Sequence, residues 1–130
     1  KSLAKEMAFR CKRSGHLMSK MRLLSAQMEA YLKDDLWLHN ARHANAMAAR
    51  LSQGLGQING IDIVSNSASN ILFVRFPEVV IEGLLQQGFG FYHDRWDQGV
   101  VRLVTHFTHQ PEQIDCLIAA AGKLVKKMKI

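Results

Sequence analysis

The sequence predicts an α+β domain, in which long N-terminal helices precede a small, mostly antiparallel sheet covered by helices. Two observations carry that prediction. Up to the mid-fifties, apolar side chains recur three and four residues apart, the spacing of one helix face. From residue 61 on, short β-branched and aromatic runs are set off by Gly and Pro. We divide the chain into a helical segment, residues 1–57, that leads in from a larger domain and forms interfaces, and a small α+β domain, residues 58–130.

Residues 2–11 are helix-prone, with Leu3, Met7 and Phe9 as the apolar members, and Ser14-Gly15 breaks the run. No start signal precedes this helix, which implies that the chain enters it from upstream sequence. Leu17, Met21, Leu24, Met28 and Tyr31 give a second amphipathic helix over 17–32. Asp34 and Asp35 interrupt it, and either can cap the helix that follows. That third helix, 36–53, carries Trp37, Ala41, Ala44, Met47, Ala48 and Leu51 on one side and ends at Gly54 and Gly56. Methionine and alanine stripes of this kind suit close packing at a subunit or domain interface.

Ile61, Ile63 and Val64 then suggest a strand, and Ile71–Phe76 a second. Pro77 begins a short helix through Val80, Leu84 and Leu85, which Gly88 terminates. Phe89–Tyr92 and Val100–Phe107 are the third and fourth expected strands. Pro111 opens the last helix, with Ile114, Leu117, Ile118, Ala121, Leu124 and Val125 as its buried stripe. The order from residue 58 is thus β-β-α-β-β-α.

The chain is 48% hydrophobic and 22% charged, which is globular and not disordered. No apolar run approaches the roughly 20 residues of a membrane span, and the N-terminus has no apolar core of a signal peptide. Cys11 and Cys116 fit no metal or redox spacing and are expected as buried, unpaired thiols in the cytoplasm. The net charge of +6 is concentrated at the ends, with seven basic residues against Glu6 alone in residues 1–22. Such clustering can face nucleic acid, an acidic membrane or a phosphate. The basic segment lacks interleaved aromatics beyond Phe9 and any helix-turn-helix or RNA-binding signature, which weighs against nucleic acid.

The strand VVRLVTHF contains the residue with the most chemistry. Strand periodicity places Val100, Arg102, Val104 and His106 on one face and Val101, Leu103, Thr105 and Phe107 on the other. An arginine within so apolar a strand is costly to bury without an anion, and its planar fork suits a carboxylate or phosphate. The plain alternative is an exposed sheet face, or an ion pair with Asp94 or Asp97. His106 can orient a ligand group or simply lie at the surface. The loop His93-Asp94-Arg95-Trp96 can border a site or be an ordinary polar turn. His39 and His43 are four apart on a helix, but the segment reads HNARH and no third ligand follows, so no metal site is expected.

FRCKRSGHLMSKMRLLSAQMEAYLKDDLWLHNARHANAMAARL resembles the segment of low-specificity L-threonine aldolases that follows their cofactor lysine, and VVRLVTHF resembles a strand near their C-terminus. NILFVRF and GFGFYHDRW, between the two, fit the small-domain strands in order and spacing. The resemblance covers essentially the whole chain. It implies the small C-terminal domain of a fold-type-I pyridoxal-phosphate enzyme, cytoplasmic and active as a homo-oligomer (dimer or tetramer) through the N-terminal helices. The implied reaction cleaves β-hydroxy-α-amino acids to glycine and an aldehyde. The family's carboxylate-gripping arginine carries over to Arg102. A lysine near the cofactor phosphate carries over to Lys12, with Gly15 as the turn. A second basic contact maps to Ser19, so Lys20 or Arg22 stands in for it.

The family's Schiff-base lysine lies in a Thr-Lys-Asn-Gly-like motif upstream, and no such motif occurs here. Lys1, followed by SLAKEM, has a helical context and does not suit that role. No catalytic residue is therefore expected in this chain, which by itself should be inactive. Two other classes stay open on the residues alone: a non-catalytic module binding an anionic amino acid, and a nucleic-acid-binding domain using the basic first helices.

Overall fold

The computed structural model describes residues 2–65, 68–93 and 95–128. Its elements are α1 (Ser2–Arg13), α2 (Met21–Leu32), a 3-10 turn (Lys33–Asp35), α3 (Leu36–Gly56), β1 (Asp62–Ser65), β2 (Ile71–Arg75), α4 (Glu78–Gln86), β3 (Val100–Val104) and α5 (Pro111–Lys127). The class is α+β, as the sequence predicts. Two compact units divide between Trp37 and Leu38, inside α3. The division expected from sequence, at residue 57, keeps α3 with the helices before it.

In the first unit, α1 carries an exposed Arg10–Glu6 ion pair one turn apart, at 2.6 Å. It ends at Gly15, whose φ of +71° lets the chain turn away, while the Ser14 and His16 amides donate to the carbonyls of Arg10 and Cys11. The next helix begins at Met21, four residues later than the apolar spacing implies. Leu17 and Met18 share the period but lie outside α2, because periodicity marks a face and not an end. Asp34 and Asp35 both have left-handed backbone, with φ of 53° and 56°, and so form the kink before α3. Aspartate tolerates this region better than most side chains. No residue of α2 is buried within this unit.

In the second unit, the sheet has the order β1-β2-β3 and is antiparallel throughout. Leu72, Val74, Val101 and Leu103 point from it into the core. Met47, Ala48, Leu51 and Leu55 of α3, Val80, Ile81 and Leu84 of α4, and Ile114, Ala121 and Val125 of α5 meet them there. The helices approach closely where a glycine faces a branched side chain. A Cβ on Gly54 would strike Ile118, and one on Gly83 would lie 2.5 Å from Leu124. α5 starts as expected at Pro111, held by a reciprocal Gln110–Gln113 capping box.

Three details differ from the expected layout. Phe89–Tyr92 is not a strand but contributes a single bridge, Tyr92 to Arg102, so among the described residues the sheet has three strands. Gly88, with φ of +88°, and Gly90 interrupt extended pairing there, while Phe89 and Phe91 still pack on the core. β3 ends at Val104, since the chain turns at His106–His109 to reach α5. Cys11 and Cys116 are both free, but exposed where burial was expected.

Candidate functional site

The pairing of β2 with β3 sets Phe73 opposite Arg102, on the sheet face away from the helices. From Val101 to Thr105 the alternation read from the sequence holds: Val101, Leu103 and Thr105 are buried in the core, while Arg102 is half-buried and Val104 exposed. It fails at both ends, where Val100, expected on the Arg102 face, is buried and Phe107, expected on the core face, is exposed beyond the end of β3. On its other side, the Arg102 amide donates to the Tyr92 carbonyl at 2.9 Å. Tyr92 thereby stands beside the arginine it bridges. The guanidinium carbon of Arg102 lies 4.7 Å from the centre of the Tyr92 ring and 5.8 Å from that of Trp96. Trp96 in turn meets Phe73 edge-on, centroids 5.1 Å apart. Arg95 lies over the same Tyr92 ring, at 4.4 Å.

Within this aromatic surround, Arg102 Nε is buried and has no hydrogen-bond partner. A buried, unmet donor on a cation is unfavourable by more than that on a neutral group. Of the two carboxylates named from the sequence, the one that is described pairs elsewhere. Asp97 pairs with Arg75, at 3.7 Å, and Asp94 lies outside the described residues. Among the described residues no carboxylate forms an ion pair with Arg102. Beside the guanidinium a cavity of about 350 Å³ is lined by Gly90, Phe91, Tyr92, Arg102 and Val104. Chemically, this is a cation that lines a small concavity and has one buried, unmet donor, a pairing suited to a carboxylate or another compact anion.

The remaining polar residues of the region have local partners. The His106 ring lies 3.1 Å from the Thr108 hydroxyl, and its amide donates to His109 Nδ1 at 2.9 Å. His43 Nε2 is 2.7 Å from the His109 carbonyl and donates to it, which ties α3 to the turn after β3. His39 is exposed. Among the described residues no three side chains are placed to hold a metal ion.

Lys12, Lys20 and Arg22 belong to the first unit. Lys12 is in the last turn of α1, Lys20 precedes the first turn of α2, and Arg22 is within that turn. All three are exposed. Lys20 and Arg22 stand at the N-terminal end of α2, where the helix dipole is also positive. Lys1 and Lys129 lie outside the described residues.

The sequence does not reveal the aromatic frame of Phe73, Tyr92 and Trp96. Its one signal was two aromatics, Tyr92 and Trp96, flanking the polar His93-Asp94-Arg95. Periodicity cannot show that the loop after Tyr92 brings Trp96 back onto the sheet.

No family model matches the chain. It is 38% identical over 92 residues to the low-specificity L-threonine aldolase of Pseudomonas sp., a match covering 71% of this chain and 27% of that protein. The enzyme of the same name from Pseudomonas aeruginosa matches at 37% over equal shares. The chain spans about a quarter of the length of these curated relatives. In fold it is similar to the threonine aldolase of Leishmania major, with TM-score 0.76 and 32% identity, over 88% of this chain and 34% of that one. A solved form of the protein C-DES, with glycine covalently linked to its PLP cofactor, shares the fold at TM-score 0.55 and 17% identity, over 62% of this chain and 23% of that one.

Proposed function

We propose that this chain, a relative of the low-specificity L-threonine aldolases, is part of a pyridoxal-phosphate-dependent lyase that cleaves L-threonine and similar β-hydroxy-α-amino acids to glycine and an aldehyde. In this reading Arg102 binds the substrate α-carboxylate. The observation that carries it is the buried, unpartnered Nε of Arg102 at the wall of a cavity. The similarity to threonine aldolases in sequence and fold supplies the reaction class.

The donor set fits the anionic parts of such a system. A guanidinium offers two parallel N–H groups to a carboxylate, which fixes both its position and its plane. Two-point attachment aligns the amino acid before any bond breaks. Tyr92 and Trp96 reduce the water around the guanidinium, which strengthens that contact. Lys12, with Lys20 or Arg22, would hold the cofactor phosphate by charge and hydrogen bonds. Pyridoxal phosphate, when bound, supplies the electron sink that cleavage of the Cα–Cβ bond requires. The Schiff-base lysine lies in a part of the enzyme that this chain does not supply. The chain by itself is therefore inactive, and the exposed helices α1 and α2 dock on the rest of a cytoplasmic homo-oligomer.

The test is to supply the full-length enzyme with pyridoxal phosphate and L-threonine and to follow both products. Glycine and acetaldehyde should appear in equal amounts, and not without cofactor. An enzyme that binds the cofactor yet releases no glycine from any β-hydroxy-α-amino acid would rule the proposal out.

A further inference from the structure

We infer that Tyr92 is a positioning residue for Arg102: its ring, with Trp96 beside it, holds the guanidinium so that the donor edge stays free for an anionic ligand. The inference rests on the carboxylate role proposed above and adds a residue to it.

An arginine side chain has four rotatable bonds, and immobilising it on ligand binding opposes affinity. A guanidinium already stacked on a ring has lost much of that freedom beforehand, while its in-plane N–H groups remain available. Arg102 lies over such a ring. Its guanidinium carbon is 4.7 Å from the Tyr92 ring centre, within the range of a cation–π contact. Its Nε is buried without a partner, so no hydrogen bond among the described residues orients that atom in place of the ring.

The ring itself is well placed to do this. The Arg102 amide bonds the Tyr92 carbonyl at 2.9 Å, which fixes the Tyr92 backbone to the same residue that its side chain covers. Trp96 lies 5.8 Å from the guanidinium and is set edge-on against Phe73, Arg102's partner across the strands. Phe73 on β2, Tyr92 at the bridge to β3 and Trp96 in the loop thus frame one cation. Arg95 on the same Tyr92 ring adds a second positive charge, which attracts an anion without giving Arg102 a competing acceptor.

The experiment uses the cofactor-loaded full-length enzyme and glycine as the probe, with affinity read from the absorbance change on binding. Tyr92→Leu should weaken glycine binding about fivefold to thirtyfold, the span of one cation–π contact. Tyr92→Phe keeps the ring and should recover most of that affinity. The ordering of Arg102 is read separately, from nitrogen-15 relaxation of its Nε–H group. Greater mobility is expected in Tyr92→Leu than in Tyr92→Phe, in the absence of glycine. Wild-type affinity in Tyr92→Leu, equal loss in both variants, or an Nε–H as rigid in Tyr92→Leu as in the wild type would each overturn the inference. A misfolded Tyr92→Leu does not stall the test, since Trp96→Leu should loosen the same group and weaken binding more mildly. Unaltered mobility there would count against the aromatic frame. An Arg102→Lys enzyme that binds glycine normally would instead remove the underlying carboxylate role.

Discussion

The hydroxyl of Thr105 donates a 2.7 Å hydrogen bond to the carbonyl of Ala44, joining the end of β3 to the buried face of α3. Thr105 is 2% exposed, and the Asn70 carbonyl lies 3.3 Å from the same hydroxyl. The bond anchors β3 three residues beyond Arg102, so the strand that carries the site is tied to the core at that point. Thr105→Val keeps the shape and removes the donor. It should lower stability by about 1–2 kcal/mol, since the Ala44 carbonyl loses that partner in the core while Asn70 keeps the Thr105 amide. Thermal or denaturant unfolding would show this, and an unchanged midpoint would mean that the bond adds nothing.

Arg102→Lys retains the charge but loses the fork. Removing one leg of a charge-assisted pair should weaken amino-acid binding by about 1.5–3 kcal/mol, an increase in KM of roughly tenfold or more. Cofactor content should hardly change. Steady-state kinetics and the cofactor-to-protein ratio separate the two. An equal loss of both would place Arg102 elsewhere in the machinery.

The face that Arg102 occupies was legible in the sequence, because alternation in VVRLVTHF has a period of two and a single charged member. Its surroundings were not. Phe73 and Trp96 come together only through the β2–β3 register and the fold of the loop after Tyr92, and neither leaves a local pattern. The same holds for Phe89–Tyr92, whose composition suits a strand but where Gly88 before it and Gly90 within it leave a single bridge. α3 shows a subtler limit. Its apolar stripe was evident, yet the stripe could not tell whether Met47 and Leu51 cover an interface or, as they do, the core beneath the sheet.

Lys12→Ala should act on the cofactor and not on the amino acid. Losing one charged phosphate contact should weaken retention by roughly tenfold or more. Dialysis followed by absorbance of the bound cofactor measures it. Unchanged retention would remove Lys12 from the phosphate site, and the same comparison with Lys20→Ala and Arg22→Ala would identify its neighbour.

Arg50 and Asp115 form a bidentate pair between α3 and α5, both contacts at 2.7 Å. The hydrogen bond from Arg50 holds the Asp115 carboxyl below its ordinary value. A depressed carboxyl favours the folded state above its unfolded pKa, and that benefit fades as pH falls through the lower folded value. Asp115→Asn should therefore lower the midpoint of unfolding slightly near neutral pH and converge on the wild type in acid. Added salt should narrow the neutral difference, because both side chains are about half exposed. A difference independent of pH would point to packing and not to charge.

Met21, Leu24 and Met28 are all largely exposed on α2, with Met28 at 58%. So much apolar surface on a helix with no buried residue is the mark of a face that another surface covers. If that surface is a second copy, Met28→Glu introduces a charge that must be desolvated at the contact. The full-length enzyme should then shift toward smaller species at micromolar concentration, as read by sedimentation. An unchanged mass, in a variant that still folds, would show that α2 of one subunit is covered by its own chain.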